Sequence, residues 1–297
     1  MTFAAQRTRR RAPYLRCAAW TTAISALVGA FAGCASATEF PSPEFGLATP
    51  IPLRADAAKA YRDAELSEYD VYLGPLRVGV LSYRTTATTA DGRPAFLLEG
   101  TTKPTSIFAP FFKAAGTTRS LVTPPTFRPV VSSWVTTDAA NPRTRLVAFD
   151  ADAARSTTYE SSWTMSRVVP TTDAFDPVSA MFILRALEPP ASDGERRMFV
   201  LEGASLHLMT VRWEGADTIR LRPGGDDIPA MRFSVRGDRL DDGGALTSDP
   251  PVNSFRVWLD DAPGREILKL EGRIAFGGVS IVLRRDDAQL PRTGSPK

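Results

Sequence analysis

Val78-Gly79-Val80-Leu81-Ser82-Tyr83-Arg84-Thr85 and Ala95-Phe96-Leu97-Leu98-Glu99-Gly100 are two short runs in which apolar and polar residues alternate. A period of two places the apolar side chains on one face of a β-strand. Between the runs lies Asp91-Gly92, which favours a tight hairpin turn because glycine readily adopts the positive φ that such turns need. The stretch 78–100 therefore predicts an antiparallel β-hairpin.

The same strand pattern continues along most of the chain. Thr-rich, β-branched segments bounded by Gly, Pro and Asp are typical of strands and turns. Besides the hairpin, the predicted strands are 69–73, 117–122, 130–137, 143–149, 155–161, 164–169, 198–201, 206–213, 217–221, 230–235, 256–259 and 268–283. The acidic, Gly- and Pro-rich stretch 237–251 predicts an exposed loop. Together these segments predict a long antiparallel meander.

One helix is predicted within this meander, over residues 176–187. Asp176 can cap the free amide groups of its first turn, and Pro177 stands where a missing N–H has no cost. Pro189-Pro190 then ends it. The fold class predicted from these patterns is mainly β, with a curved antiparallel sheet or partly closed β-barrel that clasps this one helix.

The first 37 residues have the pattern of an export signal. Five arginines precede an apolar stretch, 18–33, in which no acidic residue occurs. The stretch ends in small residues and is short for a stable membrane span, so cleavage is favoured over anchoring by a helix. Two cleavage patterns remain open: Ala35-Ser36-Ala37 fits an ordinary signal peptidase, and Phe31-Ala32-Gly33-Cys34 resembles a lipobox, in which Cys34 would be acylated.

The domain organisation that follows is an export signal over 1–37, a linker over 38–60, a single β-rich domain over 61–286 and a disordered tail over 287–297. The net charge of +3 includes the five arginines of the signal, so the remaining chain is slightly acidic. Nucleic-acid binding needs a basic stripe and is not expected here. We predict a periplasmic or cell-envelope location.

The residues predict no catalytic group, no metal site and no cofactor. His207 is the only histidine, and its alternating surroundings predict a strand residue that faces solvent or caps a sheet edge. No G-x-S-x-G motif accompanies it. The paired aspartates, such as Asp226-Asp227 and Asp260-Asp261, lack the spacing of a calcium loop. They are expected to lie in solvated turns with unshifted pKa values.

The segment 106–116 carries Phe108, Phe111 and Phe112 around a proline, between two predicted strands. Three such side chains must be buried in the core, in a partner or in lipid, because leaving them in water is costly. They either plug one end of the curved sheet or line an apolar cavity able to hold an acyl chain. Trp134 and Trp213 are predicted to share that lining, Trp163 and Trp258 lie in strands that would also reach it, and core packing is the alternative for all four.

Four short motifs carry a resemblance to a known family. They are Tyr72-Leu73-Gly74, Val78-Gly79, the helix Asp-Pro-Val-Ser-Ala-Met-Phe-x-Leu-Arg at 176–185, and Val257-Trp258-Leu259-Asp260-Asp261. From about residue 68 to 283 the chain resembles the bacterial domain of unknown function family 3108, a group of exported envelope proteins. The resemblance implies an open curved sheet or partly closed barrel around a helix, comparable with the envelope lipoprotein carriers, and no known enzymatic activity.

Two functions of different classes remain open. The first is a non-enzymatic periplasmic or envelope-associated protein that binds an apolar or glycolipid ligand, or an envelope protein partner, and meets the membrane only through a lipid anchor. The second is a hydrolase that acts on an envelope polymer through two carboxylates. An apolar concave cavity would favour the first function, and two converging carboxylates in an open polar groove would favour the second.

Overall fold

A computed structural model describes residues 51–107, 115–136, 144–150, 155–160, 163–168, 174–189, 194–202, 205–241, 244–247, 253–274 and 277–284. The predicted export signal with Cys34, the three phenylalanines 108, 111 and 112, and the predicted tail 287–297 lie outside the described residues. Among the described residues, no helix is both long enough and apolar enough to cross a membrane.

Fifteen strands of the described chain form one sheet, and one α-helix accompanies them. The strands are β1 (Leu66–Leu73), β2 (Leu76–Ala90), β3 (Arg93–Pro104), β4 (Gly116–Thr123), β5 (Arg128–Thr136), β6 (Thr144–Asp150), β7 (Arg155–Glu160), β8 (Trp163–Val168), β9 (Ala174–Phe175), β10 (Glu195–Glu202), β11 (Ser205–Ile219), β12 (Ile228–Leu240), β13 (Asn253–Asp260), β14 (Ile267–Ile274) and β15 (Gly277–Leu283). The helix is α1 (Pro177–Ala186).

The chain starts the sheet in its middle. β1 pairs with β2 on one side and with β15 on the other. From β2 the strands follow one another outward to β8, and from β10 they follow one another back to β15, while β9 and α1 connect the two halves. All neighbouring strands are antiparallel except β9 and β10. The predicted long antiparallel meander is confirmed.

The predicted hairpin and helix are confirmed. β2 and β3 are joined by Asp91 and Gly92, whose φ values are 49° and 74°, as a two-residue hairpin turn requires. Asp176 caps α1 and Leu187 follows its last residue. Every helical residue after Pro177 is buried, which explains why its sequence is apolar around almost the whole circumference.

Three sequence-based boundaries are wrong. The predicted strands 206–213 and 217–221 are one strand, β11, because a bulge between Trp213 and Gly215 lets pairing with β12 continue. The loop predicted to start at 237 starts only after Leu240, which still pairs with Leu206. The predicted strand 268–283 is two strands, β14 and β15.

The end of the predicted linker is also packed. Residues 51–65, here called the N-terminal segment, lie against the end of α1: Arg54 N–H donates to Ala186 O at 3.0 Å, and Glu188 N–H donates to Pro52 O at 3.1 Å. Ala60 is fully buried. The last carbonyl groups of a helix need partners outside the helix, and this segment supplies one, which its small and Pro-containing composition does not reveal.

Alternate connections of an antiparallel meander lie at the same end of the sheet. At the end here called the rim end, the chain connects β1 to β2, β3 to β4, β5 to β6, β7 to β8, β10 to β11, β12 to β13 and β14 to β15. The N-terminal segment and the last turn of α1 lie at the opposite end, here called the N-terminal end, since Arg185 and Arg54 bond to the connection between β13 and β14.

The main core surrounds α1 and is closed at the N-terminal end by aromatic rings. Tyr61 stacks on Phe127 with ring centroids 4.0 Å apart, and Phe182 of α1 lies 6.0 Å from Tyr61. Phe96 of β3 packs beside both Tyr61 and Phe127. The interior around the helix is thus filled by side chains at this end.

A smaller second core shows how the sheet ends. It contains Val147, Ala174, Leu201, Leu206 and Leu240, whereas the neighbours Met198 and Val200 of β10 belong to the main core. Successive residues of a strand face opposite ways, so β10 has the main core on one face and β6 on the other. The sheet therefore curves over its own edge instead of closing edge to edge, which confirms the predicted mainly β, curved sheet around one helix.

Candidate functional site

The structure separates the two tryptophans that the sequence predicts to share a lining. Trp134 lies on β5 at the rim end and lines a pocket. Trp213 lies on the inner face of β11 opposite Phe233 and packs against the main core. Its Nε1–H is buried and has no hydrogen-bond partner in the described part of the chain. Trp213 is not among the residues that line the pocket.

The pocket lies at the rim end, between the inner face of β4–β6, the start of α1 and the end of β10. Its volume is about 40 Å³, which is space for about two or three water molecules. The lining residues are Thr118, Arg119, Ser132, Ser133, Trp134, Arg145, Val147, Asp176, Pro177, Val178, Leu201 and Glu202. The pocket fits a small group and is too small for an acyl chain.

The wall of the pocket is set by strand register. Thr118, Trp134 and Arg145 are direct partners on β4, β5 and β6 and therefore share one face. The Arg145 guanidinium carbon lies 5.7 Å from the centroid of the Trp134 ring, in a cation–π contact. Gly100 is the next partner in this row, and a Cβ there would come within 2.8 Å of Thr118 Oγ1. The wall combines an aromatic face with a positive charge.

The floor of the pocket contains Asp176, a residue whose burial the sequence does not predict. Its side chain accepts hydrogen bonds from Ser120 Oγ at 2.5 Å, Ser179 Oγ at 2.7 Å, Val178 N–H at 2.9 Å and Ser179 N–H at 3.2 Å. Burial raises the pKa of this carboxyl, while these hydrogen bonds act in the opposite direction. Because both oxygens are engaged by donors of the helix start and of β4, Asp176 holds the helix in place.

Two further carboxyl groups with shifted pKa values lie at the surface of the sheet. The pKa of Asp217 is lowered, chiefly by hydrogen bonds from Trp258 Nε1–H and Thr218 N–H, and that of Asp227 by its hydrogen bond from Arg220. The expectation of unshifted paired aspartates is therefore wrong at Asp227. The lowered pKa of Asp217 cannot be predicted from local sequence, because its partner Trp258 lies 41 residues further along the chain.

Trp258 does not contribute to the pocket either. It pairs across strands with Arg232 and Lys269, and the Lys269 ammonium lies 5.1 Å from its ring centroid. Val257 and Leu259, the residues on either side of it in β13, face the main core. The Trp-Leu-Asp-Asp motif thus reflects a structural network on the outer face.

His207 is buried, with 1% of its surface exposed, so the expectation of a solvent-facing histidine is wrong. It lies on β11 where both faces of the strand are covered, opposite Val200. In the part of the chain that the structure describes, no three His, Cys, Asp or Glu residues come together as a metal site would require.

An open curved antiparallel sheet that folds over its own edge and encloses a single helix defines a class of mainly β proteins. The chain belongs to the DUF3108 family of proteins of unknown function, which it matches over residues 68–284. This confirms the resemblance that the four sequence motifs carry.

Two solved structures are similar at low identity. One is a β-barrel-like protein of the domain of unknown function DUF1849 from Brucella abortus, with 9% identity, a TM-score of 0.44 and coverage of 74% of this chain and 95% of that chain. The other, from Parabacteroides distasonis, is described as a "putative lipoprotein" and has 8% identity, a TM-score of 0.29 and coverage of 75% of this chain and 96% of that chain. No curated protein matches the chain.

Proposed function

We propose that the protein is an exported, non-enzymatic component of the cell envelope that binds an apolar or glycolipid ligand, or an apolar segment of an envelope partner, at its rim end. The observation that carries the proposal is the pocket at this end, whose wall is the Trp134–Arg145 pair. Ligand sites commonly join apolar walls to a few polar groups.

The connection from β3 to β4 supports a site for an apolar group beside this pocket. Its described flanks, Ile107 and Gly116, belong to the rim end, and Ile107 is 76% exposed. Phe108, Phe111 and Phe112 are in the same connection and remain the proposed apolar contacts. The pocket would take a small polar group of the ligand, next to the Trp134–Arg145 pair.

The location in the envelope is part of the same proposal. It is supported by the export pattern of residues 1–37 and by membership of the DUF3108 family, whose resemblance implies exported envelope proteins. Acylation of Cys34 would add a lipid anchor ahead of the N-terminal segment.

Native mass spectrometry tests this function. Protein purified gently from its own envelope fraction is compared before and after denaturation, together with Trp134→Ala and the triple change of Phe108, Phe111 and Phe112 to Ser. A bound mass that is released on denaturation and lost in both variants is expected. Leu66→Ser is the control, because Leu66 is 52% exposed at the opposite end and should leave the bound mass unchanged.

The proposal fails if the wild-type protein gives only the mass of the free chain. It also fails if the Leu66 variant loses the bound mass as completely as the rim variants while all remain folded by circular dichroism.

A hydrolase is the second candidate, because Asp176 and Glu202 line the same pocket. The four hydrogen bonds accepted by Asp176 argue against it, since a general acid or base must be able to exchange its proton with substrate. Incubation with isolated envelope polymer decides between the two: release of soluble fragments that is lost in Glu202→Gln would establish the hydrolase, and no release would remove it.

A further inference from the structure

Exposed apolar side chains concentrate at one end of this protein. Among the described residues, seven large apolar side chains are exposed: Leu66, Leu76, Ile107, Val135, Leu146, Tyr159 and Leu246. Leu66 opens β1 at the N-terminal end, and the other six lie at the rim end. Scattered exposure of single apolar residues is ordinary, but a concentration at one end marks an interaction surface.

Three of the six lie on or directly beside connections between strands. Leu76 is the first residue of β2 and is 56% exposed, and Leu246, between β12 and β13, is 60% exposed. Thr105 N–H donates to Val78 O at 2.9 Å, so the pairing of β2 with β3 extends one residue past Pro104, and Ile107 follows two residues later in a turn. The most exposed apolar side chains therefore project from the tips of separate connections.

The other three form a patch on the outer face of the sheet at the rim end. Val135 is next to last in β5, Leu146 is near the start of β6, and Tyr159 is next to last in β7. Leu146 and Tyr159 are direct cross-strand partners. This outer patch extends the apolar surface around the rim.

Exposed cationic side chains accompany the tips. Lys103 lies near the end of β3, four residues before Ile107, and Arg273 lies at the end of β14. Arg239 accepts a hydrogen bond at its carbonyl from Thr247, next to Leu246, and its side chain is exposed. Acidic side chains lie nearby as well: Asp241 accepts a hydrogen bond from Ala245 N–H within the loop that carries Leu246, and Glu271 of β14 pairs with Lys269.

We propose that the rim end docks directly on a lipid surface, with Leu76, Ile107 and Leu246 inserted among the lipids. Binding at the membrane interface strengthens with the apolar area that becomes buried among the lipids, and these three side chains are the most exposed large apolar ones of the described residues. Tips on separate connections suit a fluid surface that adapts to each of them better than a rigid protein face. This docking goes beyond the proposed function, in which the membrane is met only through a lipid anchor.

Vesicle sedimentation tests the docking. The full chain carrying Cys34→Ser, which precludes acylation, is mixed with vesicles of phosphatidylcholine and phosphatidylglycerol. Binding is expected, and Leu76→Asp, Ile107→Asp and Leu246→Asp should each lower the partition coefficient about tenfold, because a charge replaces an inserted apolar group. Leu66→Asp, the matched control at the N-terminal end, should bind like the parent.

Three results would overturn the proposal. The first is that the folded parent does not sediment with vesicles. The second is that sedimentation persists unchanged in all three rim variants, and so comes from the apolar stretch 18–33. The third is that the Leu66 variant loses as much vesicle binding as the rim variants. The docking and the proposed function fail separately, since a bound mass in the native spectrum requires no vesicle and vesicle binding requires no bound mass.

Discussion

Asp176 shows how one residue joins the pocket, the helix and the sheet. Its carboxylate caps the first turn of α1 and also accepts a hydrogen bond from Ser120 of β4. With 2% of its surface exposed, it is removed from water, and four hydrogen bonds to its oxygens offset the loss of hydration. The helix start is therefore fastened to the half of the sheet that carries Trp134.

Substitution of Asp176 is expected to separate capping from charge. Asp176→Asn should keep the cap, because an amide oxygen accepts the same N–H bonds, whereas Asp176→Ala should lower the free energy of unfolding by about 2 kcal/mol. Urea denaturation measures both. An Ala variant as stable as the Asn variant would contradict the structural role.

Comparison of the wild-type protein with Asp176→Asn also predicts a pH dependence of stability. Burial raises the pKa of Asp176 in the folded state, so from the unfolded-state pKa of about 3.9 upward to that raised pKa the folded protein binds more protons than the unfolded chain. The free energy of unfolding should therefore fall as pH rises through this window, relative to Asp176→Asn. A difference between the two proteins that does not change with pH would refute this assignment.

Residue-scale prediction from sequence succeeded where the cause is local and failed where it is not. Asp176 is recognisable as a cap because the partners Val178 and Ser179 are two and three residues away. Its burial and that of His207 come from strands distant in sequence. His207 shares the face of β11 that carries Met209 and Val211 of the main core, and Leu206 on the opposite face belongs to the second core, so both faces are covered.

At the scale of elements, α1 is held at its last turn by a buried ion pair. Arg185 Nη2 donates to both carboxylate oxygens of Glu65, at 2.8 and 3.1 Å, and Arg185 Nε donates to Gly264 O at 3.1 Å. The side chains of Arg185 and Glu65 are 4% and 14% exposed. The helix, the N-terminal segment and the connection from β13 to β14 thus meet at one guanidinium group.

Breaking this pair is expected to be severe. Arg185→Met leaves Glu65 buried without its partner and should lower the free energy of unfolding by about 3 to 5 kcal/mol. The double change with Glu65→Met should cost less than the sum of the single changes, as urea denaturation of the four proteins of the cycle will measure.

The control for this cycle is Arg220→Met. Arg220 pairs with Asp227 at the surface, where both side chains are more than half exposed, and solvent screens such pairs. Its denaturation midpoint should stay close to that of the wild type. Equal losses for Arg185 and Arg220 would contradict the importance of burial.

Sequence patterns predicted which helices and strands form better than they predicted where each one begins and ends. The helix and the hairpin at Asp91-Gly92 carry local signals at their own ends. The bulge at Trp213 and the packing of residues 51–60 depend on a neighbouring strand and on the end of α1, so no local pattern marks them. The pocket depends on register between β4, β5 and β6, which also lies beyond a local pattern.

At the scale of the whole molecule, the sheet covers its own edge. Native sheets need to protect their edges from pairing with other chains, and here β6 lies over the outer face of β10 through the second core. Adjacent residues of β6 therefore have opposite environments: Val147 is 4% exposed and Leu146 is 38% exposed.

Aspartate substitutions at these two positions test the overlap. Val147→Asp should lower the free energy of unfolding by about 3 kcal/mol or more, because it places an unpaired charge between two layers. Leu146→Asp, one residue away on the outer face, should change it by less than about 1 kcal/mol. Thermal and urea denaturation measure both, and similar losses at the two positions would show that β6 does not cover β10.

The pairing of β1 with β15 has a consequence for how the protein forms. Tyr69 pairs with Leu283, and Arg284 N–H donates to Glu68 O at 2.7 Å, so the centre of the sheet joins the first strand to the last. Contacts between residues so distant in sequence slow folding. The two halves can begin to form during synthesis, but they become one sheet only after the ribosome has released β15, so a nascent chain stays open to chaperones or to a translocation channel until its final strand arrives.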